Sequence, residues 1–471
     1  MTKTFFQKTG GTVEIIFKKG YNKINFRKTI NKLLFLLIFI LKERGMDMDL
    51  LPIAFLIDGL SIYKNLRNDK VISNLHDSVV KLNTCQSAEG QLQAISSYTA
   101  MCSTLYESEY QGSLSDYIFD LVLYDINIFS KASAEHRLDS LSPQILQAAS
   151  NDLHALFKIS HITSEMFKAN FQEQCKGCSF LEESLPDYTI EQHRYPVRDD
   201  WEKQVNAIAD FYAANGVGMY AKYKAFIFEM GRGIQPVITL DPIRLTDLKK
   251  YEVQRNKVLE NTLAFIEGHP YNNVLLYGDR GTGKSSTVKA ILNEYKNRNL
   301  RMIEISKRSI ADLDKLINSI QNIPLKFIIF IDDLTFNEND DNFGILKAIL
   351  DGSLSVRPDN VAIYATTNRR HLIKETFSAR EGNEVHRGDT MDESLSLSDR
   401  FGLTVTFMKP NKDDFLTIVR QLAADRHIEM EDEKLCAGAE RFALANSGRT
   451  PRLARQYIDH IEARIKLNLE I

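Results

Sequence analysis

The sequence predicts an α/β protein with a mainly parallel sheet, preceded by a helical N-terminal domain. Uninterrupted apolar runs end at Tyr277, Ile331 and Ala365, and segments with helical spacing of their apolar residues separate these runs. Strands that are apolar on both faces are typical of parallel sheets covered by helices. From about residue 71 to residue 171 the apolar residues fall at helical spacing, with one clear face between Leu114 and Ile126. The N-terminal half is therefore expected to be several packed helices.

The composition sets the broad class of protein. A length of 471 residues predicts two to four domains, and 44% hydrophobic with 26% charged residues excludes a disordered chain. A formal net charge of -3 creates no overall field that would draw the protein to DNA or to a membrane. Five cysteines are few and odd in number, which favours a reducing cytoplasm over a disulfide-bonded exterior.

Residues 1–50 form a basic and apolar extension. Ten Lys or Arg residues and two Glu residues occur in 1–45, and a nine-residue apolar run spans 33–41. The run is too short to cross a bilayer, which needs about 20 residues. Three interpretations remain: an upstream extension whose true start is Met46 or Met48, a helix that contacts a membrane or a partner, or an export signal. A cytoplasmic location disfavours the third.

Two features of the N-terminal half invite functional hypotheses. Cys175 and Cys178 have a spacing found in metal sites, but the second ligand pair of a zinc site is missing, so a turn with two free thiols is the preferred interpretation. The segment 211–226 interleaves aromatic residues with Lys222 and Lys224. Such a segment either stacks on single-stranded nucleic acid or forms a buried aromatic helix at a glycine turn, and we favour the buried helix.

A glycine-rich stretch follows the strand that ends at Tyr277, and it has the spacing G-x-x-x-x-G-K-S. Glycines let backbone N–H groups curl around phosphates, and the N-terminus of the following helix adds partial positive charge. A lysine reaches the terminal phosphates, and a serine hydroxyl ligates Mg²⁺. The strand–loop–helix context is the one this motif requires. The predicted nucleotide-binding residues are Gly278, Asp279, Arg280, Gly281, Thr282, Gly283, Lys284, Ser285 and Ser286.

Polar side chains also end the two following strands. Asp332 and Asp333 come directly after the strand that ends at Ile331, and Asn368 follows Thr367. Ligands of open α/β sheets bind at this carboxyl edge. We expect Ser285 and Asp332 to hold Mg²⁺ and Asp333 to polarise the attacking water.

With these motifs, and with 395–403 and 448–455 downstream, the chain resembles the AAA+ ATPases over about 240–465. More narrowly, it resembles a bacterial family of ATP-binding proteins known as a domain of unknown function. The resemblance implies an AAA+ P-loop NTPase fold: a parallel sheet of order 5-1-4-3-2 with a C-terminal helical lid. The expected domains are a helical one at 51–200, an aromatic linker segment at 201–240, the ATP-binding core at 241–410 and the lid at 411–471.

The resemblance also implies residue roles. The P-loop above matches Walker A, and 327–333 matches Walker B. Asn368 matches sensor 1, which orients the hydrolytic water, and Arg452 matches sensor 2 on the lid. Arg400 matches an arginine finger that acts on the ATP of a neighbouring chain, which implies a homo-oligomer. The segment 245–262 is expected to line the adenine pocket. One departure is Asp333, where the family usually has Glu, so fast hydrolysis is not expected.

Together these expectations predict an AAA+ ATPase that binds Mg-ATP and hydrolyses the γ-phosphate of ATP slowly. The protein is expected to couple this cycle to its own assembly or to the remodelling of a protein client. The alternative is an ATP-dependent switch with little hydrolysis. A DNA-handling loader is less supported, because no helix-turn-helix signature or basic stripe is evident beyond 449–455. A small-molecule kinase would leave the arginine motifs unexplained. The charged segment 371–393 is expected to be a loop, with or without partner contacts.

Overall fold

The structure is a computed structural model that describes residues 5–9, 12–16, 50–84, 87–174, 184–194, 200–336, 341–351, 358–368, 399–446 and 448–469. For 5–16 it describes the backbone alone, as an antiparallel hairpin of β1 (Phe5–Thr9) and β2 (Thr12–Ile16). The predicted features at 33–41, at Cys175 and Cys178, and at 371–393 lie outside these residues. Within the described part, no helix combines the length and apolar character that crossing a membrane would require.

The N-terminal half is helical, and a single apolar core holds its helices together. Ser113 caps the N-terminus of one of them, because its side chain accepts a hydrogen bond from the Asp116 N–H at 3.2 Å. Leu114, Ile118 and Val122 of that helix are fully buried. The helices are α1 (Leu51–Gly59), α2 (Lys70–Thr84), α3 (Ala88–Glu107), α4 (Leu114–Tyr124), α5 (Ile128–Ala134), α6 (Pro143–Ser160), α7 (Ser164–Gln174) and α8 (Val205–Asn215).

The C-terminal half contains a seven-stranded sheet. Its strands are β3 (Ala225–Glu229), β4 (Gly233–Pro236), β5 (Asn273–Gly278), β6 (Leu300–Ile305), β7 (Lys326–Ile331), β8 (Val361–Thr367) and β9 (Gly402–Phe407). The strand order is β4-β3-β6-β7-β8-β5-β9, and every pair except β3–β4 is parallel. If the P-loop strand β5 is numbered 1, then β6, β7, β8 and β9 are strands 2, 3, 4 and 5. Read from β9 inward, these five strands have the order 5-1-4-3-2. The predicted sheet is confirmed.

Helices cover both faces of the sheet, which explains why its strands read as continuous apolar runs. Side chains alternate along β5, so that Leu275 packs on one face while Val274 and Leu276 pack on the other. The face of Val274 carries α10 (Glu252–Ile266) and α11 (Lys284–Tyr295). The face of Leu275 carries α12 (Leu313–Ile320) and α13 (Asp341–Asp351).

The segment 201–240, expected as an aromatic linker, contains secondary structure that joins the two halves. It holds α8, the short helix α9 (Gly218–Lys222) and the β3–β4 hairpin, which extends the sheet beside β6. Tyr212 and Phe226 are buried, and Lys222 contacts Asp120 at 3.2 Å. These contacts agree with the buried aromatic interpretation of this segment.

A buried arginine lies at the same junction. Arg301 on β6 is almost inaccessible to solvent, and it donates hydrogen bonds to the backbone carbonyls of Tyr220 (2.6 Å) and Leu300 (3.0 Å). Burial lowers the pKa of its guanidinium to about 10. The carbonyl partners satisfy its donors without a carboxylate, and they attach α9 to the sheet.

The C-terminal residues form a separate helical unit with its own apolar core. It consists of α14 (Lys412–Asp425), α15 (Asp432–Ala445) and α16 (Pro451–Lys466). Asn411 caps α14 by accepting from the Asp414 N–H at 2.8 Å, and Thr450 caps α16 by accepting from the Leu453 N–H at 3.2 Å. This unit lies over the carboxyl edge of the sheet, where the expected lid would be.

Candidate nucleotide-binding site

The glycine-rich stretch connects β5 to α11 and wraps over the N-terminus of that helix. Gly278, Gly281 and Gly283 all have positive φ angles of 137°, 76° and 97°. Residues with a Cβ avoid these conformations, which is why the spacing demands glycine. At Gly278 an added Cβ would also lie 2.0 Å from the carbonyl oxygen of Phe407. The loop can therefore follow its path only with glycine at this position.

The start of the loop is anchored to the end of β9. The Asp279 N–H donates to the Phe407 carbonyl at 2.9 Å, and the Asp279 carboxylate accepts from the Lys409 N–H at 2.8 Å. Asp279 thus attaches the start of the loop to the end of β9 and to the residues that follow it. The residues Arg280, Gly281, Thr282, Gly283, Lys284, Ser285 and Ser286 line a cavity of about 730 Å³ above it.

Lys284 is the buried cation at the centre of the site. Its Nζ donates to the carbonyls of Gly278 (2.9 Å) and Asp279 (2.7 Å) and to Oδ1 of Asn368 (3.0 Å). Burial lowers the pKa of this lysine, while nearby carboxylates including Asp332 oppose the shift. The ammonium is held on the floor of the cavity by neutral acceptors, so its charge is free to act on an anion.

A hydroxyl and a carboxylate meet beside Lys284. Ser285 Oγ donates to Oδ1 of Asp332 at 2.6 Å, and Thr366 Oγ1 on the neighbouring strand donates to the same oxygen. Both Ser285 and Asp332 line the cavity. Hard oxygen donors of this kind suit Mg²⁺. The donor set fits a magnesium ion.

Asp333 occupies an unusual backbone position at the end of β7. Its φ angle is 51°, in the left-handed region where Asp and Asn are enriched over other residues with a Cβ. The Asp333 N–H donates to Thr366 Oγ1 at 3.0 Å, and its carboxylate accepts from Nδ2 of Asn368 at 2.6 Å. The left-handed turn offers a physical reason for Asp, rather than the longer Glu, at this position.

Asn368 links the two predicted halves of the site. Its amide oxygen accepts from Lys284 Nζ, and its amide nitrogen donates to Asp333 Oδ1. Because β8 lies between β5 and β7, Asn368 at the end of β8 is within reach of both neighbouring strand ends. Lys284, Asn368 and Asp333 thus form a continuous hydrogen-bonded chain across the carboxyl edge of the sheet.

The lid closes the cavity from the other side. Its helix α16 begins against the loop, where the Arg452 N–H donates to the Gly281 carbonyl at 3.1 Å. Arg452 and Arg455 both line the cavity, together with apolar residues Ile418 and Leu422 of α14. The lid therefore presents both positive charge and apolar surface to the interior.

The segment before α10 forms the remaining wall. Lys250 and Tyr251 both have left-handed backbones, with φ angles of 61° and 63°. Lys250 forms an ion pair with Asp414 of α14 at 2.9 Å, and the Tyr251 hydroxyl donates to the Met408 carbonyl at 2.6 Å. Leu248, Lys249, Lys250, Tyr251 and Arg255 line the cavity, which is where the resemblance placed the adenine pocket.

Arg400 lies apart from this cavity within its own chain. Its guanidinium forms an ion pair with Asp351 at the end of α13, and its side chain is 28% exposed. Arg400 is not among the residues that line the cavity. Of the predicted catalytic residues, the structure brings Asp333, Asn368 and Arg452 together, and it leaves Arg400 elsewhere.

Sequence reasoning assigned no role to several residues of the site. Thr366 belongs to a predicted strand, and its hydroxyl, two residues before Asn368, lies on the same face of that strand. Arg455 lies in the same 448–455 motif as Arg452, but the resemblance implies a role for Arg452 alone. The contact of Lys409 with Asp279 has no signal in the sequence, because it joins residues 130 positions apart.

Replacing Gly281 with Ala should weaken both the fold and the closure of the lid. A Cβ here would lie 3.1 Å from Thr450 Oγ1 and 3.2 Å from Arg452 Cβ, and the φ of 76° adds about 1–2 kcal/mol of strain. Gly344→Ala is the matched control, since nothing lies within 4 Å of its Cβ and its backbone is helical. Thermal unfolding should show a lower Tm for Gly281→Ala and an equal or higher Tm for Gly344→Ala. An unchanged Tm for Gly281→Ala would contradict the tight contact between loop and lid.

The fold and the site together define a P-loop nucleotide-binding protein of the AAA+ ATPase class: a 5-1-4-3-2 sheet, a phosphate loop after its central strand and a helical lid. The chain belongs to the family described as "Protein of unknown function (DUF815)", whose model matches residues 221–465. The match begins within α9 and includes the β3–β4 hairpin, so the family unit extends beyond the expected core boundary at 241.

The chain is also similar to other known proteins over part of its length. The chain is 31% identical over 156 residues to the "Probable mitochondrial chaperone BCS1-A" of Dictyostelium discoideum, covering 27% of this chain and 35% of that protein. It thus spans about a third of the length of that curated relative. Structures of Thermotoga maritima RuvB, described as a Holliday junction branch migration motor, match with a TM-score of 0.34 and 19% identity. That match covers 48% of this chain and 66% of RuvB.

Proposed function

We propose that this protein binds Mg-ATP, hydrolyses the γ-phosphate slowly, and uses the cycle to change its own assembly or to remodel a protein client. The observation that carries the proposal is the hydrogen-bonded chain from Lys284 through Asn368 to Asp333. These hydrogen bonds connect the Lys284 ammonium, which is suited to bind terminal phosphates, with the Asp333 carboxylate, which is suited to polarise a water molecule. A site that only held nucleotide would have no need of the second group.

Each residue of the site has a defined role in the proposed reaction. Lys284 faces the β- and γ-phosphates, and the N–H groups of the loop surround the phosphate chain. Ser285 and Asp332 would hold Mg²⁺, which neutralises charge that develops on the phosphate oxygens. Asp333 accepts a proton from, or polarises, the attacking water, and Asn368 orients that carboxylate through its hydrogen bond of 2.6 Å. Arg452 brings a positive charge from the lid.

The left-handed backbone of Asp333 supports a slow reaction. Its carboxylate is one methylene shorter than the glutamate usual in this class, and the backbone at φ 51° favours Asp over Glu. A carboxylate that reaches the water less closely transfers its proton less efficiently. We therefore expect this site to hydrolyse ATP at a modest rate.

The central experiment measures ATP turnover and particle mass together, with and without nucleotide. ATP-dependent turnover together with a nucleotide-dependent change in mass would support the proposal. Tight ATP binding without turnover at any protein concentration would instead support a nucleotide-dependent switch. The absence of ATP binding would reject both functions.

Asp333→Asn should lower turnover by about 10²–10⁴-fold, the usual contribution of a general base, without loss of ATP affinity. Asparagine tolerates the left-handed backbone and can accept the hydrogen bond from Asn368, so the site keeps its shape. Asp333→Glu restores the longer reach and should keep or raise the rate. Steady-state ATPase assays and ATP titrations measure both quantities. A rate that is indifferent to both substitutions would exclude Asp333 as the base.

The switch remains the second candidate function, because of the position of Arg400. Within one chain this arginine pairs with Asp351, outside the cavity, so an isolated chain lacks the extra cation that accelerates phosphoryl transfer.

We further propose a homo-oligomer in which Arg400 reaches the nucleotide of a neighbour. Cytoplasmic ATP chemistry is the proposed setting, supported by the free thiols of Cys102 and Cys436.

A further inference from the structure

The lid helix α16 presents two arginines to the cavity, and the proposed function uses only one of them. Arg455 lies three residues after Arg452, is partly buried, and lines the same cavity. Residues three apart in a helix share one face. The geometry that brings Arg452 to the phosphate loop therefore brings Arg455 to the cavity wall as well, one turn further from the start of the helix.

These two arginines differ from others on the lid in their partners. Several lid arginines are neutralised by carboxylates, at distances of 2.7–2.8 Å: Arg420–Asp432, Arg426–Glu462 and Arg449–Glu440. Among the described residues, neither Arg452 nor Arg455 has a carboxylate within ion-pair distance. Asp459, one turn beyond Arg455 on the cavity wall, is paired with Arg426. Asp332 and Asp333 also line the cavity, but among the described residues neither lid arginine forms an ion pair with them.

The opposite wall adds to this excess of positive charge. Arg280 and Lys284 of the phosphate loop face the same space, and Lys284 is held by neutral groups. Like charges at i and i+3 of a helix are unfavourable, and α16 carries no acidic residue in its first turn to balance them. An arrangement that is unfavourable when empty becomes favourable when a multivalent anion enters between the two walls.

We propose that Arg455 is a second phosphate-binding residue of the lid, which contacts the polyphosphate chain of the nucleotide beside Arg452. The inference rests on the proposed function, since it takes ATP as the ligand of this cavity. The attraction between Arg455 and the ligand grows with the number of phosphates. Arg455 therefore distinguishes nucleoside triphosphates from monophosphates and draws α16 onto the loop when the triphosphate is bound.

The test compares ATP, ADP and AMP binding to the wild-type protein and to Arg455→Gln, Arg455→Lys and Arg464→Gln by titration calorimetry. Arg455→Gln should weaken ATP binding by about 10-fold to 100-fold, the usual contribution of hydrogen bonds to a charged group, and should barely affect AMP. Arg455→Lys should recover part of the ATP affinity. Arg464 lies in the last turn of the same helix, away from the cavity, so Arg464→Gln should leave all three affinities unchanged.

Thermal unfolding supplies a readout that a purely structural role would not reproduce. Without nucleotide, Arg455→Gln should leave Tm unchanged or raise it by about 1 °C, because one of two like charges is removed. With ATP, its Tm increase should be smaller than that of the wild type. A lower Tm without nucleotide, with equal losses of ATP and AMP affinity, would overturn the inference.

Two further outcomes distinguish the inference from the proposed function. If the wild-type protein binds ATP and Arg455→Gln binds it equally well, the inference is wrong and the proposed function stands. If the wild-type protein does not bind ATP at all, the proposed function fails and the inference fails with it.

Discussion

Lys284→Ala is expected to abolish measurable ATP binding. Its ammonium is the buried cation at the floor of the site, and its three acceptors are uncharged oxygens from Gly278, Asp279 and Asn368. Removing it takes away the charge that faces the β- and γ-phosphates, in a cavity where water screens the interaction weakly. Hydrogen bonds to charged groups contribute about 1.5–3 kcal/mol each, so losing several of them lowers affinity by orders of magnitude.

The measurement is an ATP titration of the wild type, Lys284→Ala and a control, Lys289→Ala. Lys289 lies on the same helix α11 and does not line the cavity, so its replacement should leave the affinity unchanged. Circular dichroism and thermal unfolding establish that each variant is folded. Undiminished ATP affinity in a folded Lys284→Ala protein would show that the loop does not bind phosphates as described.

Arg400→Ala is expected to remove nearly all of the turnover that depends on protein concentration. If Arg400 acts on the ATP of a neighbouring chain, the rate per chain should rise with concentration in the wild type. Arginine fingers contribute about 10³–10⁵ in rate, so the loss should be large while ATP affinity is spared. The assay follows ATPase rate per chain from dilute to concentrated protein.

The ion pair of Arg400 with Asp351 gives this experiment a second arm. Asp351→Asn removes the charged in-chain partner, so Arg400 should turn toward a neighbouring chain more readily and raise the rate at intermediate concentration. Arg420→Ala is a matched control, because this exposed lid arginine pairs with Asp432 and does not line the cavity. A wild-type rate per chain that is constant at all concentrations, and unchanged by Arg400→Ala, would favour the switch over the ATPase.

Much of the site could be predicted because its parts are local in the sequence. The loop 278–286 needs glycine at the positions where φ is positive, and Gly278, Gly281 and Gly283 all have positive φ. Asp332 and Asn368 could be assigned to one edge because parallel strands present their carboxyl ends together. Strand order within the core followed from the resemblance, and the structure confirms it.

The β3–β4 hairpin was not predicted as part of the sheet. Its strands are short, and in β3 only Phe226 is buried, while the other four residues are partly or fully exposed, as in a linker. Pairing of Phe226 with Ile303 joins residues far apart in the chain. Such pairing is decided by packing against neighbours rather than by the preference of the residues themselves.

The sequence by itself determined the phosphate loop, the acidic strand end and the class of fold, because each depends on backbone conformations and apolar periodicity that a few adjacent residues impose. Only the tertiary structure decided what each charged side chain contacts. Arg400 pairs with Asp351, Asn368 connects Lys284 to Asp333, and Arg455 faces the cavity without an ion-pair partner among the described residues. Long side chains have many rotamers and strong but non-directional charges, so their partners depend on which distant segments folding places within a few ångströms.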